Sequence, residues 1–409
     1  MNAPFPFLDA IVIGAGHAGL SMSRCLQREG LAHIVLERER VGASWRTRWD
    51  SFYLNTPNEI TVLPDGEAPG SPEGFASRDT WVRSLESYAR EHELPIREGV
   101  EVRSVTPIEG GYEVQTSHES LRAKNVILCT GDQNVPKIPA VAEQLPSDID
   151  QRHCRDYRSA ASLPPGGVLV VGSGQSGGQI VEDLLDAGRD VWLCTSRVGR
   201  APRRYRGRDV TAWMGKIGMF DQKPGDVEPA ERQAAQPLIS GTEGGHSLSL
   251  PWLGRRGAKL LGRLSGVEGR TLRIEGDLLE NVAFGDAFAA KICGGLDTFF
   301  EKAGVAAPKA ESDPADEPFE GLDEAASIRE LDLDAAGIRS VIWATGFGGD
   351  FSYLPPAFLN DSGRLRHTDG VCAPGLYALG LLWLRRRCSG IVAGAPGDAE
   401  AVVKHIVQP

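Results

Sequence analysis

Two glycine runs have the residue types and spacing to hold a phosphate. In DAIVIGAGHAGLSMSRCL, Gly14, Gly16 and Gly19 follow an apolar run and lead into a helical pattern. In VLVVGSGQSGGQIVEDLL, Gly172, Gly174 and Gly177 repeat the arrangement. In such a GxGxxG turn the first glycine permits a tight turn. The second lets the backbone approach a diphosphate, and the third lets helix and strand pack closely. The phosphate then lies at the helix N-terminus, where free N–H groups and the helix dipole favour negative charge. One isolated GxGxxG is a weak signal; here both copies have a strand before them and a helix after them.

The residues that follow each turn separate the two sites. The first unit places an acid, Glu37, at the end of its second strand, where a carboxylate binds a ribose diol. The second unit has Thr195, Ser196 and Arg197 at the matching place and no acid. An acid there would repel a 2′-phosphate, whereas hydroxyls and a guanidinium bind one, so NADPH rather than NADH is expected. The basic run GRAPRRYRGR, with Arg200, Arg203 and Arg204, is expected to add positive potential. Two dinucleotide sites in one chain imply electron traffic between them, with FAD as the acceptor of a hydride from NADPH.

These turns need strands and helices to hold them. Ile11–Gly14 and Ala32–Glu37 read as parallel strands flanking a helix, and Val168–Gly172 and Val191–Ser196 repeat the βαβ unit. VEVRSVT and YEVQTS alternate as antiparallel strands. NVILCTG (125–131) and IRSVIWATG (338–346) both end in Thr-Gly and look equivalent. The expected fold is α/β, with two Rossmann-like dinucleotide-binding domains: an FAD domain over 1–158 and 338–409, and an inserted NADPH domain over 159–337. The stretch from Arg206 to Glu330 reads as irregular and helical, and the acidic, Pro-rich 305–321 as an exposed loop. The last helix is expected to start at an N-cap of Gly397 or Asp398.

Composition sets the limits. The chain has 409 residues, 41% hydrophobic, with a formal net charge of −11, which argues against a nucleic-acid surface. No apolar stretch reaches the roughly 18 residues of a membrane span. The N-terminal MNAPFPFLDA lacks the charged and apolar regions of a secretory leader. Seven scattered cysteines without a CxxC pair point to reduced thiols in a cytoplasmic setting. No His/Cys cluster has metal-ligand spacing. The sequence is compatible with a homo-oligomer.

IVIGAGHAGL, GASWRTRWDSFYLNTP, VILCTGDQNVPKIP, HCRDYR, GSGQSG, the late ATGF and GLYALGLLWLRRRCSGIVAGAPGDA together resemble the flavin-containing monooxygenases, in particular a bacterial subgroup related to Baeyer–Villiger and N-hydroxylating enzymes. The resemblance spans nearly the whole chain. It implies non-covalent FAD, NADPH as reductant, and oxygen activation through a C4a-(hydro)peroxyflavin that oxygenates a nitrogen or sulfur centre of a small molecule. Gly14, Gly16, Gly19 and Glu37 match its FAD fingerprint. Trp45 and Arg46 match a segment beside FAD, Val102 a backbone contact to adenine, and Thr130 and Gly131 the strand end near the cofactor. Gly172, Gly174, Gln175, Ser176 and Gly177 match the NADPH turn, with Ser196 and Arg197 at the 2′-phosphate. Gly346 of ATGF and Gly380 of GLYALGLL are carried over as cofactor-side glycines. Asn55 in LNTP matches an active-site asparagine that faces the flavin and its oxygen adduct.

The resemblance has a gap. Of the FxGxxxHxxx(F/W) signature only His153 and Tyr157 remain, with Ser147 and Ile149 at the Phe and Gly places. His153 is therefore expected to organise the linker between domains rather than do chemistry. Baeyer–Villiger oxidation of a ketone or aldehyde is one alternative, and NADPH-dependent flavin reduction or oxidase activity without oxygen transfer is another. A non-enzymatic dinucleotide sensor is the third. Trp213, Met214, Met219 and Phe220 are candidates for a substrate passage, against the plainer reading of helix packing. The flavin does the difficult chemistry, so neither a catalytic triad nor paired carboxylates are needed.

Overall fold

Runs such as Ala10–Ile13 and Gly167–Val171 are apolar and buried at almost every position, the pattern of parallel strands covered on both faces. They form the centres of two sheets in the computed structural model, which describes residues 7–408. The residues read above for a secretory leader begin with 1–6, which lie outside the described residues. No helix among the described residues is long and apolar enough to cross a membrane.

The first sheet has eight strands. Leu8–Ile13 lies parallel between His33–Leu36 and Ser120–Leu128, with Ile11 opposite both Ile34 and Val126. Leu376–Ala378 continues the parallel order beyond Ser120–Leu128. The expected antiparallel strands are present as Val102–Ile108 and Gly111–Thr116, and the latter pairs with Ser120–Leu128. Helix His17–Arg28 turns Leu20, Met22, Cys25 and Leu26 into the core, and the last helix, Ala395–Val407, packs against it.

The second sheet has five parallel strands. Gly167–Val171 lies between Val191–Cys194 and Ile338–Trp343, with Lys259–Leu261 and Asp150–His153 at the edges. This moves the expected domain boundaries. Asp150–His153 and Ile338–Trp343, assigned from sequence to the FAD domain, belong to the second sheet. The reason is that each glycine turn needs a neighbouring strand to close against. Ser120–Leu128 leads to Cys129 beside Gly14, and Ile338–Trp343 leads to Ala344 beside Gly172. The equivalence of the two Thr-Gly strands therefore places one in each unit. The chain leaves the first unit at Val135–Pro136 and returns at Phe347–Gly348, and these two segments pair antiparallel as a connecting ribbon.

Two further expectations are corrected. The last helix begins at Ala395, three residues before Asp398, with Gly394 as N-cap and Pro396 in its first turn, where a fixed φ suits helix entry. The middle region is more ordered than expected. It contains the strand Lys259–Leu261, an antiparallel meander of Leu264–Glu268, Thr271–Ile274 and Glu330–Asp332, and the 26-residue helix Leu278–Ala303. Strands of three to five residues are too short to show a period. The 305–321 segment is mostly exposed, but Ala315 is buried within it.

Candidate functional site

The two glycine turns have the same construction. Gly14 and Gly172 have φ of +103° and +105°, a region that L side chains rarely adopt. A Cβ on either would lie 2.6 Å from a backbone oxygen, that of Cys129 or Ala344. A Cβ on Gly19 would meet the Gly14 oxygen at 1.8 Å, and one on Gly177 the Gly172 oxygen at 1.8 Å. At Gly16 and Gly174 a Cβ would meet nothing within 4 Å. Both of these residues are N-caps, and no side chain caps the first-turn N–H groups. Each turn is thus a cradle that a diphosphate fits.

The first cradle opens into a cavity of about 360 Å³. Glu37 is buried on its wall. Its Oε2 accepts from Ala15 N (2.8 Å) and its Oε1 from Glu39 N (3.0 Å), which fixes the carboxylate at the end of the second strand. Val102 and Thr130 also line the cavity, and Thr130 Oγ1 bonds Tyr353 Oη at 3.1 Å. Burial raises the pKa of the Tyr353 phenol, so it remains a neutral hydrogen-bonding group. Gly131 follows at φ +72°. Gly380, at φ +77°, sits so close to the first helix that a Cβ would lie 2.7 Å from the Ala18 methyl carbon.

Trp45 and Arg46 are not on the cavity lining. Trp45 packs edge-on against Trp81, with ring centroids 6.2 Å apart. Arg46 donates to Val41 O (3.0 Å) and pairs with Glu86. The same segment instead sends Ala43, Ser44, Thr47 and Arg48 to the cavity. Arg48 and Arg155 line it without having been singled out from sequence. Both lie in quoted segments, but sequence alone could not show which side of a short turn faces inward.

At the second cradle, Ser173 Oγ accepts from Ser196 N (3.0 Å), tying the turn to the end of Val191–Cys194. Thr195 is buried and donates to Leu261 O (2.7 Å), so it is structural. Ser196 is half-buried, and Arg197 is exposed with its guanidinium 4.7 Å from the centre of the Phe284 ring. Gln175 Nε2 donates to Pro237 O (2.6 Å), and Ser176 is half-buried in the first helical turn.

The expected positive potential of the basic run is largely cancelled. Arg200 pairs with Asp286 (2.8 Å) and Asp316 (2.7 Å), and Arg203 with Asp209 (2.6 Å). Arg204 is 4.0 Å from Glu73. Arg197, two residues before this run, is a further, exposed cation beside the turn.

Asn55 joins the two units. Its Oδ1 accepts from Gln179 Nε2 (2.7 Å), on the helix Gln175–Asp186 of the second unit. Its backbone oxygen accepts from Arg203 Nη1 (2.9 Å). Arg203 is 2% exposed, so its pair with Asp209 is nearly dry. Replacing Arg203 by methionine strands that carboxylate, and we expect a loss of about 3–5 kcal/mol in denaturant unfolding. Replacing Asp209 by leucine in the same chain should recover most of it.

His153 is buried. Its Nδ1 accepts from Arg155 N (3.2 Å), so the proton is on Nε2, which donates to Gly346 O (3.0 Å). Burial lowers its pKa, and its ring meets Phe347 edge-on at 4.7 Å. Gly346 itself has φ of +90°. Both ring nitrogens are held by backbone beside the connecting ribbon, which is a structural arrangement. Trp213 and Met214 are buried against Leu296 and Phe300, with Met219 and Phe220 packed around them, as in ordinary core. All seven cysteines are free, and among the described residues no group of His, Cys, Asp and Glu could hold a metal.

Comparison with known proteins agrees with this architecture. Residues 11–214 match the family described as pyridine nucleotide-disulphide oxidoreductase. An uncharacterized CzcO-like oxidoreductase of Geobacillus kaustophilus is 30% identical over 404 residues, covering 98% of both chains. The indole-3-pyruvate monooxygenase YUCCA1 of Oryza sativa subsp. japonica is 30% identical over 184 residues, 44% of this chain and 45% of that protein. A flavin-containing monooxygenase from Stenotrophomonas maltophilia superposes with a TM-score of 0.65 at 18% identity, over 98% of this chain and 99% of that one.

Proposed function

From the premise that this chain belongs to the CzcO-like oxidoreductases of the flavin-containing monooxygenase family, flavin-dependent enzymes with FAD and NADPH as cofactors, we propose that it oxygenates a nitrogen or sulfur centre of a small molecule at the expense of NADPH and O2. The observation that carries this reading is the pair of matching glycine cradles, one per unit, joined through the Asn55–Gln179 bond. A disulfide-reducing reading through a CxxC dithiol has no support, because no two of the seven cysteines form that pair.

Bound flavin supplies the redox and oxygen chemistry; the chain's residues bind, orient and exclude water. We assign the first cradle, Glu37 and Val102 to FAD, and the second cradle with Ser196 and Arg197 to NADPH. Asn55 offers an amide that cannot titrate; Gln179 donates to its Oδ1, and Arg203 to the residue's backbone oxygen. Leu54 beside it is buried, and Asn55 itself is half-buried.

The test is rapid mixing of NADPH-reduced protein with oxygenated buffer. A flavin species spectrally distinct from both the reduced and the oxidised form, lasting seconds, is expected before oxidised flavin returns. Direct return with one peroxide released per flavin would overturn the reading. Asn55→Ala should shorten that species' life by about tenfold, the effect of losing one well-placed polar contact worth about 1.4 kcal/mol, and should raise the yield of peroxide. Unchanged lifetime and coupling would remove Asn55 from the site.

A further inference from the structure

Four arginines, Arg38, Arg48, Arg103 and Arg155, line the cavity, and the cofactor assignments leave all of them without a role; Arg38 lies 3.7 Å from Glu39. Arg48 Nη2 donates to Gln133 Oε1 (3.3 Å), and Arg155 Nη1 to Asn134 O (3.0 Å), so neighbouring loop residues hold both heads. Among the described residues neither is paired with a carboxylate within 4.0 Å. Arg48 Nε is enclosed and has no hydrogen-bond partner. Its backbone is pinned, because its carbonyl accepts from Arg78 Nη1 (3.0 Å). Its guanidinium lies 5.4 Å from the centre of the Phe347 ring, which also lines the cavity.

Two cations with no paired carboxylate in a partly enclosed space are costly. Burial lowers the pKa of Arg48, and the charge of Arg155 lowers it further. Four acids share the lining: Glu37 accepts from Ala15 and Glu39 N–H groups, Glu39 lies 3.7 Å from Arg38, Asp350 Oδ1 accepts from Ser352 N (2.9 Å), and neither these nor Glu101 pairs with Arg48 or Arg155 within 4.0 Å. Dinucleotide phosphates are already provided for by the open cradles at Gly16 and Gly174. An anion brought by a third molecule is what remains. A guanidinium binds a carboxylate through parallel N–H donors, and the Phe347 ring offers an apolar surface beside it.

We propose that Arg48 and Arg155 form a carboxylate-binding subsite, and that the substrate is a carboxylic acid with an apolar body. This rests on the monooxygenase reading above. The experiment is titration of FAD-loaded protein, with NADP⁺ present, by 3-phenylpropanoate and by its neutral amide, following the flavin spectrum. The acid is expected to bind at least about tenfold more tightly than the amide, as one charge-assisted contact worth about 1.4 kcal/mol would give. Arg48→Gln and Arg155→Gln should each remove that preference while leaving amide affinity, FAD content and NADP⁺ binding unchanged. Arg48→Lys, a milder change should Arg48→Gln fold poorly, should keep part of it. Equal binding of acid and amide by the unaltered protein would overturn the proposal. So would variants that keep the preference but lose FAD or NADP⁺, because the arginines would then serve a cofactor. Rapid mixing separates the two readings: acid preference without oxygen transfer defeats only the monooxygenase reading, and oxygen transfer without acid preference defeats only the subsite.

Discussion

Gly177→Ala should yield protein that keeps its flavin and is reduced by dithionite, but whose reduction by NADPH falls on the order of 100-fold or more. Gly19→Ala should instead yield protein with little flavin. The two substitutions are the same chemically and meet the same obstacle, a backbone oxygen 1.8 Å from the new Cβ. No side chain can move aside to relieve it, so the helix must shift away from the turn and the cradle must widen. A tenfold loss corresponds to about 1.4 kcal/mol, and the cost of forcing a helix off its packing exceeds that severalfold. Gly174→Ala provides the contrast. Its methyl meets nothing within 4 Å, so the melting temperature should stay within about 2 °C of the unaltered protein. NADPH reduction should still weaken, because the methyl occupies the space a phosphate would use. The readouts are the flavin-to-protein absorbance ratio, melting temperature, and reduction rates with the two donors. Wild-type NADPH reduction in Gly177→Ala would mean that the second turn does not hold the nucleotide.

These turns were legible because everything that defines them is local. Apolar strand, three glycines and amphipathic helix lie within one short segment, and the acid at Glu37 or its absence at Ser196 closes each βαβ unit. The domain boundary was not legible in the same way. Ile338–Trp343 and Asp150–His153 belong to the second sheet only through pairing with strands distant in the chain, and no local property of IRSVIW records which sheet it joins. The strand Lys259–Leu261 is too short to show a period. Side-chain direction was the third obstacle. Trp45, Arg46 and Arg48 sit on or just after one four-residue turn, Ala43–Arg46, and only packing against Trp81 and pairing with Glu86 decide that Arg48 faces the cavity.

Charge compensation was hidden for the same reason, and it sharpens the last expectation. Arg200 and Arg203 read from sequence as free cations, but the acids that neutralise Arg200, Asp286 and Asp316, lie far along the chain. Arg197 remains, exposed, at the end of the strand that follows the second turn. Arg197→Ala should lower kcat/KM for NADPH by about 10–100-fold, the scale of one or two charge-assisted hydrogen bonds to a 2′-phosphate, at about 1.5–3 kcal/mol for each contact to a charged group. With NADH, which lacks that phosphate, the change should be less than about twofold, because an exposed side chain contributes little to the fold. Arg204→Ala is the matched control, since Arg204 is also exposed and only 4.0 Å from Glu73; it should leave both ratios unchanged. Salt adds an independent check. Attraction between exposed charges is screened over about 8 Å at physiological ionic strength. The NADPH preference should therefore narrow as salt rises in the unaltered protein and depend less on salt in Arg197→Ala. An equal loss with NADPH and NADH would mean that Arg197 acts through its packing on Phe284 rather than through charge, and the recognition of the 2′-phosphate would then have to be sought among other residues around the second cradle.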